Sequence, residues 1–143
     1  MTTTAEVPDN LKRIIAEFSS APRSLRLPLL LEYAGKLPPL PEAMAGKLER
    51  VHECQTPLFL KAGVDDSGAV RLHFDAPPEA PTTRGFASIV SAGLAGSTVE
   101  QALATPEDFY EQMGLTELIS PLRLRGLGSI VARVKRQLRE AGG

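Results

Sequence analysis

Residues 57–75, Pro57-Leu58-Phe59-Leu60-Lys61-Ala62-Gly63-Val64-Asp65-Asp66-Ser67-Gly68-Ala69-Val70-Arg71-Leu72-His73-Phe74-Asp75, break the rhythm of the chain. Val70, Leu72 and Phe74 alternate with Arg71, His73 and Asp75, the period of a strand with one wet face. Pro57 to Ala62 is its expected partner. Asp65-Asp66-Ser67-Gly68 between them supplies turn residues, so the spacing predicts an antiparallel hairpin.

Outward from the hairpin the period returns to that of helices. Upstream, Leu11, Ile14, Ile15 and Phe18 fall on one helical face with Asp9 as the expected N-cap. A second helix around Leu29, Leu30, Tyr33, Ala34 and Leu37 is expected to carry Pro28 in its first turn and to stop before Pro38-Pro39, leaving Leu37 to Glu42 as a stiff connector. Downstream of the Pro-rich stretch Ala76 to Pro81, residues Phe86, Ile89, Val90 and Leu94 share a face, with Thr82 or Thr83 as N-cap. Thr98-Val99-Glu100-Gln101 matches a capping box, and Thr105-Pro106 and Ser120-Pro121 each put proline at a first helical position.

In the last helix Leu127, Ile130 or Val131, Val134 and Leu138 form an apolar stripe. The cations Arg133, Lys135, Arg136 and Arg139 crowd its C-terminal turns, where the helix dipole favours them. A short central hairpin flanked by helices reads as α+β, with the helices packed on one face of a small antiparallel sheet. The 143 residues suit one domain, 1–143.

Composition narrows the functions. A formal net charge of −1 gives no electrostatic case for nucleic acid. Met1 to Glu6 lacks the basic start and apolar core of a signal peptide, and the most apolar stretch, Leu25 to Leu31, is broken by Arg26 and Pro28. No membrane partner is expected, and the reading is a cytoplasmic protein. The single cysteine, Cys54, fits a reducing compartment, since an odd cysteine elsewhere invites intermolecular pairing.

Cys54 stands in His52-Glu53-Cys54-Gln55-Thr56-Pro57, just ahead of the apolar Leu58-Phe59-Leu60. One thiol cannot close an intramolecular disulfide or build a thiolate cage, so it either packs as a small hydrophobe or does chemistry. His52 would share its face in an extended segment, so a Cys-His pair is conceivable. The commoner outcome for His52, and for His73 on the polar strand face, is a solvated or partly packed side chain. No paired-ligand motif supports a metal site, no phosphate loop supports nucleotide binding, and no motif arranges a histidine and an acid around a serine.

Several motifs, in order and spacing, resemble the SufE family of sulfur-acceptor proteins from about Leu25 to Leu138. They are Leu37-Pro38-Pro39-Leu40-Pro41-Glu42, Val51-His52-Glu53-Cys54-Gln55-Thr56, Arg84-Gly85, and Met113-Gly114-Leu115 through Leu118-Ile119-Ser120-Pro121-Leu122-Arg123 with Gly126-Leu127. The chain departs from the family pattern at Glu53, where glycine is usual, at Thr56, where serine is usual, and in the connector 75–81. A carboxylate at position 53 should raise the pKa of its neighbouring thiol.

The resemblance implies a SufE/IscU-like fold and a persulfide carrier on Cys54, loaded by a SufS-type, pyridoxal-phosphate-dependent cysteine desulfurase that it also stimulates. It implies delivery to an iron–sulfur assembly scaffold. The carrier is then no enzyme itself and has no cofactor of its own, the pyridoxal phosphate belonging to the partner. Arg123 matches the family arginine and, with Gln55, is the candidate for stabilising the thiolate or binding the partner. Cys54 is expected on a loop at the hairpin entrance, tucked against neighbours such as Leu58 or Phe59. Two rivals stay open: a non-covalent regulatory partner of a desulfurase, and a redox-sensing thiol protein.

Overall fold

The computed structural model describes residues 7–54 and 56–142. In chain order the elements are α1 (Asp9–Ser20), α2 (Arg23–Ala34), β1 (Glu49–Arg50), β2 (Phe59–Val64), β3 (Val70–Asp75), α3 (Pro81–Leu94), α4 (Val99–Leu103) and α5 (Pro121–Gly142). Short 3₁₀ turns lie at Glu42–Met44 and Phe109–Glu111. The class is α+β, as the hairpin flanked by helices predicts.

The three strands form one antiparallel sheet in the order β1-β2-β3. Opposed pairs Leu60–Phe74, Ala62–Leu72 and Val64–Val70 lie on one face, and Phe59–Asp75, Lys61–His73 and Gly63–Arg71 on the other. The first face meets α3 and α5. Its apolar side chains join those of the helices in a single buried cluster running from Leu11 to Leu138. The hairpin turn is built by Asp65, whose carboxylate accepts hydrogen bonds from the backbone N–H of Ser67 (2.9 Å) and Ala69 (3.0 Å) and from Arg71 Nε (3.0 Å). Gly68 supplies the left-handed residue, φ 86°.

Strand β1 is not foreseen by the sequence, because two residues carry no alternation; it exists only as the partner of Phe59 and Leu60. Its shortness leaves the Ala62 N–H without a strand to meet, and Gln137 Oε1 of α5 accepts from it at 2.7 Å. The expected strand 57–62 starts two residues later and runs to Val64.

Helix starts differ in four places. Pro8, not Asp9, occupies the α1 cap position: the Lys12 N–H bonds the Pro8 carbonyl at 3.0 Å, which places Asp9 inside the first turn. Helix α2 begins at Arg23, so Pro28 is interior rather than in the first turn. Pro28 and Ser24 are both exposed or half-exposed, so water can satisfy the Ser24 carbonyl that proline cannot reach. Ala80 caps α3 because Pro81 already adopts the first helical position, leaving Thr82 and Thr83 inside the helix. Thr105-Pro106 opens no α-helix. The segment coils through successive three-residue turns, including Gln112 N–H to Phe109 O at 3.0 Å, and reverses at Gly114 with φ 74°. Phe109, stacked on Phe86 at 5.1 Å, and Met113 are buried by those turns, which imitates helical spacing.

The other starts agree. Thr98 and Gln101 form both bonds of the capping box, and Pro121 opens α5 with the Arg123 N–H reaching Ser120 Oγ at 3.4 Å. Arg84-Gly85 joins two helices: Arg84 Nε donates to Ala34 O, the last residue of α2, at 3.1 Å, and its second nitrogen reaches Ala76 O at 2.5 Å. A Cβ at Gly85 would stand 2.3 Å from the Leu30 carbonyl oxygen, so only glycine permits this approach of α2 and α3. Among the described residues no helix is long and apolar enough to cross a membrane.

Candidate functional site

Cys54 lies on the loop between β1 and β2, at the entrance to the hairpin. The loop is closed at its neck by the Val51 N–H bonding Leu58 O at 2.8 Å, and both of those side chains are fully buried. Within it the Cys54 N–H turns back to Val51 O at 3.2 Å. The thiol is thereby carried inward, 7% exposed, and donates to the Gly126 carbonyl of α5 at 3.5 Å. A Cβ at Gly126 would lie 3.4 Å from the sulfur, so the absence of a side chain there makes the space for the thiol.

One side of the sulfur opens on a cavity of about 280 Å³. Thr56, Ala80, Thr83, Leu122, Arg123 and Leu127 contribute to its walls together with Glu53 and Glu79, so it combines apolar surface with hydroxyls, one guanidinium and two carboxylates. The Thr56 hydroxyl oxygen is buried and has no partner among the described residues. Leu122, 48% exposed, is a large apolar side chain at the cavity's outer rim.

Electrostatics hold the resting thiol protonated. Burial, then the negative charge of Glu53, push Cys54 up to about 11, with Arg133 pulling the other way. The expected effect of Glu53 is therefore present but second to desolvation. Glu53 itself is held below the usual carboxylate range, first by its hydrogen bond from Arg133. Arg133 Nε and one terminal nitrogen reach the same Glu53 oxygen at 3.1 and 2.8 Å, and its other terminal nitrogen bonds Glu49. Arg136 shares Glu49 and also pairs with Glu140 at 3.0 Å, while Lys135 faces Glu107 at 3.9 Å. The basic C-terminal turns are thus not simply dipole partners: three of the four cations tie α5 to carboxylates.

Cys54 and Arg123, the two candidates that the resemblance named, both line this one cavity. Arg123 is exposed and forms no ion pair among the described residues. Gln55 lies outside the described residues. His52 is exposed while Cys54 is buried, so the turn separates the two and they form no pair. His73 is half-buried opposite Lys61 on the sheet face away from α5. Among the described residues no three histidine, cysteine or acidic side chains converge as metal ligands do. Sequence reasoning missed Arg133, whose partner is 80 residues away. The one signal was Glu53 itself, a charge beside a thiol that calls for a counter-ion.

Comparison with known proteins places the chain in a family. Residues 12–138 match the SufE family model, described as an Fe-S metabolism associated domain. An uncharacterized SufE-like protein of Mycobacterium tuberculosis is 52% identical over 142 residues, 99% of each chain. SufE-like protein 1, chloroplastic/mitochondrial, of Arabidopsis thaliana is 28% identical over 123 residues, 85% of this chain and 33% of that one. The solution structure of a hypothetical protein from Thermus thermophilus superposes with a TM-score of 0.85 at 48% identity, covering 94% of this chain and 97% of that one. With the family model spanning the Cys54 loop, the cavity and α5 alike, the chain belongs to the SufE family and has its role in Fe–S metabolism.

Proposed function

We propose that Cys54 is a persulfide carrier. Its thiolate attacks the terminal sulfur of a cysteine persulfide on a SufS-type, pyridoxal-phosphate-dependent desulfurase. The new bond is Cys54 Sγ–S, the bond broken is the partner's S–S, and the partner's cysteine leaves as thiolate and takes up the proton that Cys54 gave up. No net oxidation occurs. A second exchange passes the sulfur to an iron–sulfur assembly scaffold, so the chain turns over a partner's product rather than running a reaction of its own. Residues 1–143 act as one unit in this reading, in a reducing cytoplasm where a lone thiol stays unpaired.

The observation that carries the reading is the sole cysteine of the chain, 7% exposed on a loop beside a cavity of about 280 Å³. That cavity offers a bound sulfane sulfur an apolar wall away from reductants, with hydroxyls and Arg123 at its side. Arg123 and Gln55 are the groups proposed to steady the thiolate or to meet carboxylates of the desulfurase. Burial holds the resting thiol protonated, so in this reading the loop carries Cys54 out of its pocket in the complex, where it ionises more readily. The same protonated, shielded thiol is a poor target for peroxide, which argues against a redox sensor.

Intact-mass analysis after incubation with a SufS-type desulfurase and free cysteine, without reductant, tests this. Wild type is expected to gain one thiol-reversible sulfur atom, Cys54→Ser none, and Arg123→Ala to load more slowly. No gain on wild type, with desulfurase binding and stimulation intact, would sink the carrier and favour a non-covalent activator.

A further inference from the structure

We propose that Glu53 and Arg133 form a latch that holds the Cys54 loop shut against α5, and that release of this pair sets how often the thiol is presented. The inference rests on the carrier reading for its purpose, and on geometry for its content.

The loop touches α5 at two points. Gly126 receives the thiol, and Arg133, seven residues on, receives Glu53. Seven residues are almost two whole turns, so both contacts lie on one face of the helix, about 10 Å apart. Glu53 and Cys54 are adjacent in the chain, which makes the two contacts mechanically one: the thiol cannot swing outward far while the carboxylate stays clamped.

The clamp is built for strength in its surroundings. The Arg133 side chain is only 17% exposed, its guanidinium spans Glu49 of β1 and Glu53 of the loop, and two of its nitrogens converge on one Glu53 oxygen. A fork of this kind gains more than a freely solvated ion pair, because the cation is already ordered by Glu49 before Glu53 arrives. Glu53 is 52% exposed, so it is also the end of the clamp that a docking partner can reach. A partner cation competing for Glu53, or a partner carboxylate competing for Arg133, would open the loop at the moment of docking. Arg133 is in this sense a positioning residue.

The test is the rate at which iodoacetamide alkylates the full chain, followed by intact mass; every adduct reports Cys54. Glu53→Gln and Arg133→Gln are each expected to speed alkylation about three- to tenfold, the range an ordered, partly shielded ion pair supports. The double variant should be no faster than the faster single, because one latch can be opened only once. Glu140→Gln, which removes the neighbouring pair with Arg136, should leave the rate unchanged.

If the two charges acted only by tuning the thiol, the signs would differ: loss of Glu53 would speed alkylation and loss of Arg133 would slow it. Opposite signs, or no change in either variant, would overturn the latch. Should Arg133→Gln fail to fold, wild type and Glu53→Gln are compared between about 0.1 M and about 1 M salt, over which the Debye length falls from about 10 Å to about 3 Å. Salt should then accelerate wild type selectively; equal acceleration of both would refute the proposal. No desulfurase is present in the assay, so the latch can fail while sulfur loading of Cys54 stands, and the reverse.

Discussion

Burial pushes the Cys54 thiol up to about 11 from its ordinary 9.0, so it binds its proton more tightly in the native state than in the unfolded one. The stability this contributes is fully present below about pH 9 and is lost as the pH rises through about 11. Two units correspond to about 2 to 3 kcal/mol. Urea unfolding between pH 8 and 11.5 is therefore expected to show a steeper alkaline decline for wild type than for Cys54→Ala, by roughly that amount. Parallel declines would mean that the native thiol is already in water. At this scale the sequence was half legible. Cys54 and Arg123 could be named from their motifs, and the sign of Glu53's effect from its charge. The burial that outweighs Glu53 could not, because it comes from packing against Gly126 of α5, 72 residues away in the chain.

Among the elements, α2 and α3 approach so closely at Gly85 that no side chain fits between them. Leu30 O stands 2.3 Å from where a Cβ would project at Gly85, so Gly85→Ala must push two helices apart in a core already packed by Leu30 and Phe86. Overpacking of this kind costs about 1 to 3 kcal/mol, against a gain of under about 1 kcal/mol in helix propensity. A thermal midpoint well below that of wild type is expected; an unchanged midpoint would show that α2 can shift freely. Elements whose signal is local were readable: the hairpin, because Asp65 and Gly68 make its turn from neighbouring residues, and α4, because Thr98 and Gln101 cap it themselves. Elements defined by something distant were not. Strand β1 needs β2 to exist, and the Phe109 segment takes its tight turns from packing on Phe86.

Over the whole molecule, the order helix, hairpin, helix was legible as an α+β class because the apolar period changes from 3.6 to 2 and back. The packing of α5 across the sheet was not, since its stripe says only that some face is buried. Helix α5 has a role at each end: Gly126 and Arg133 hold the sulfur loop, and Gln137 bonds Ala62 where β1 runs out. Gln137→Ala should leave Cys54 alkylation unaltered and lower the protein concentration at which light scattering or gel filtration reports self-association; wild-type behaviour at every concentration would refute this. The opposite margin of the sheet is also engaged at Val70, whose N–H bonds Ser97 O at 2.9 Å and whose carbonyl accepts from Gly96 N–H at 2.8 Å. A three-stranded sheet with two bare margins would be a template for stray strands. By filling a missing rung with a side-chain amide, the chain withholds from its neighbours the bare edge that a two-residue strand would otherwise leave open.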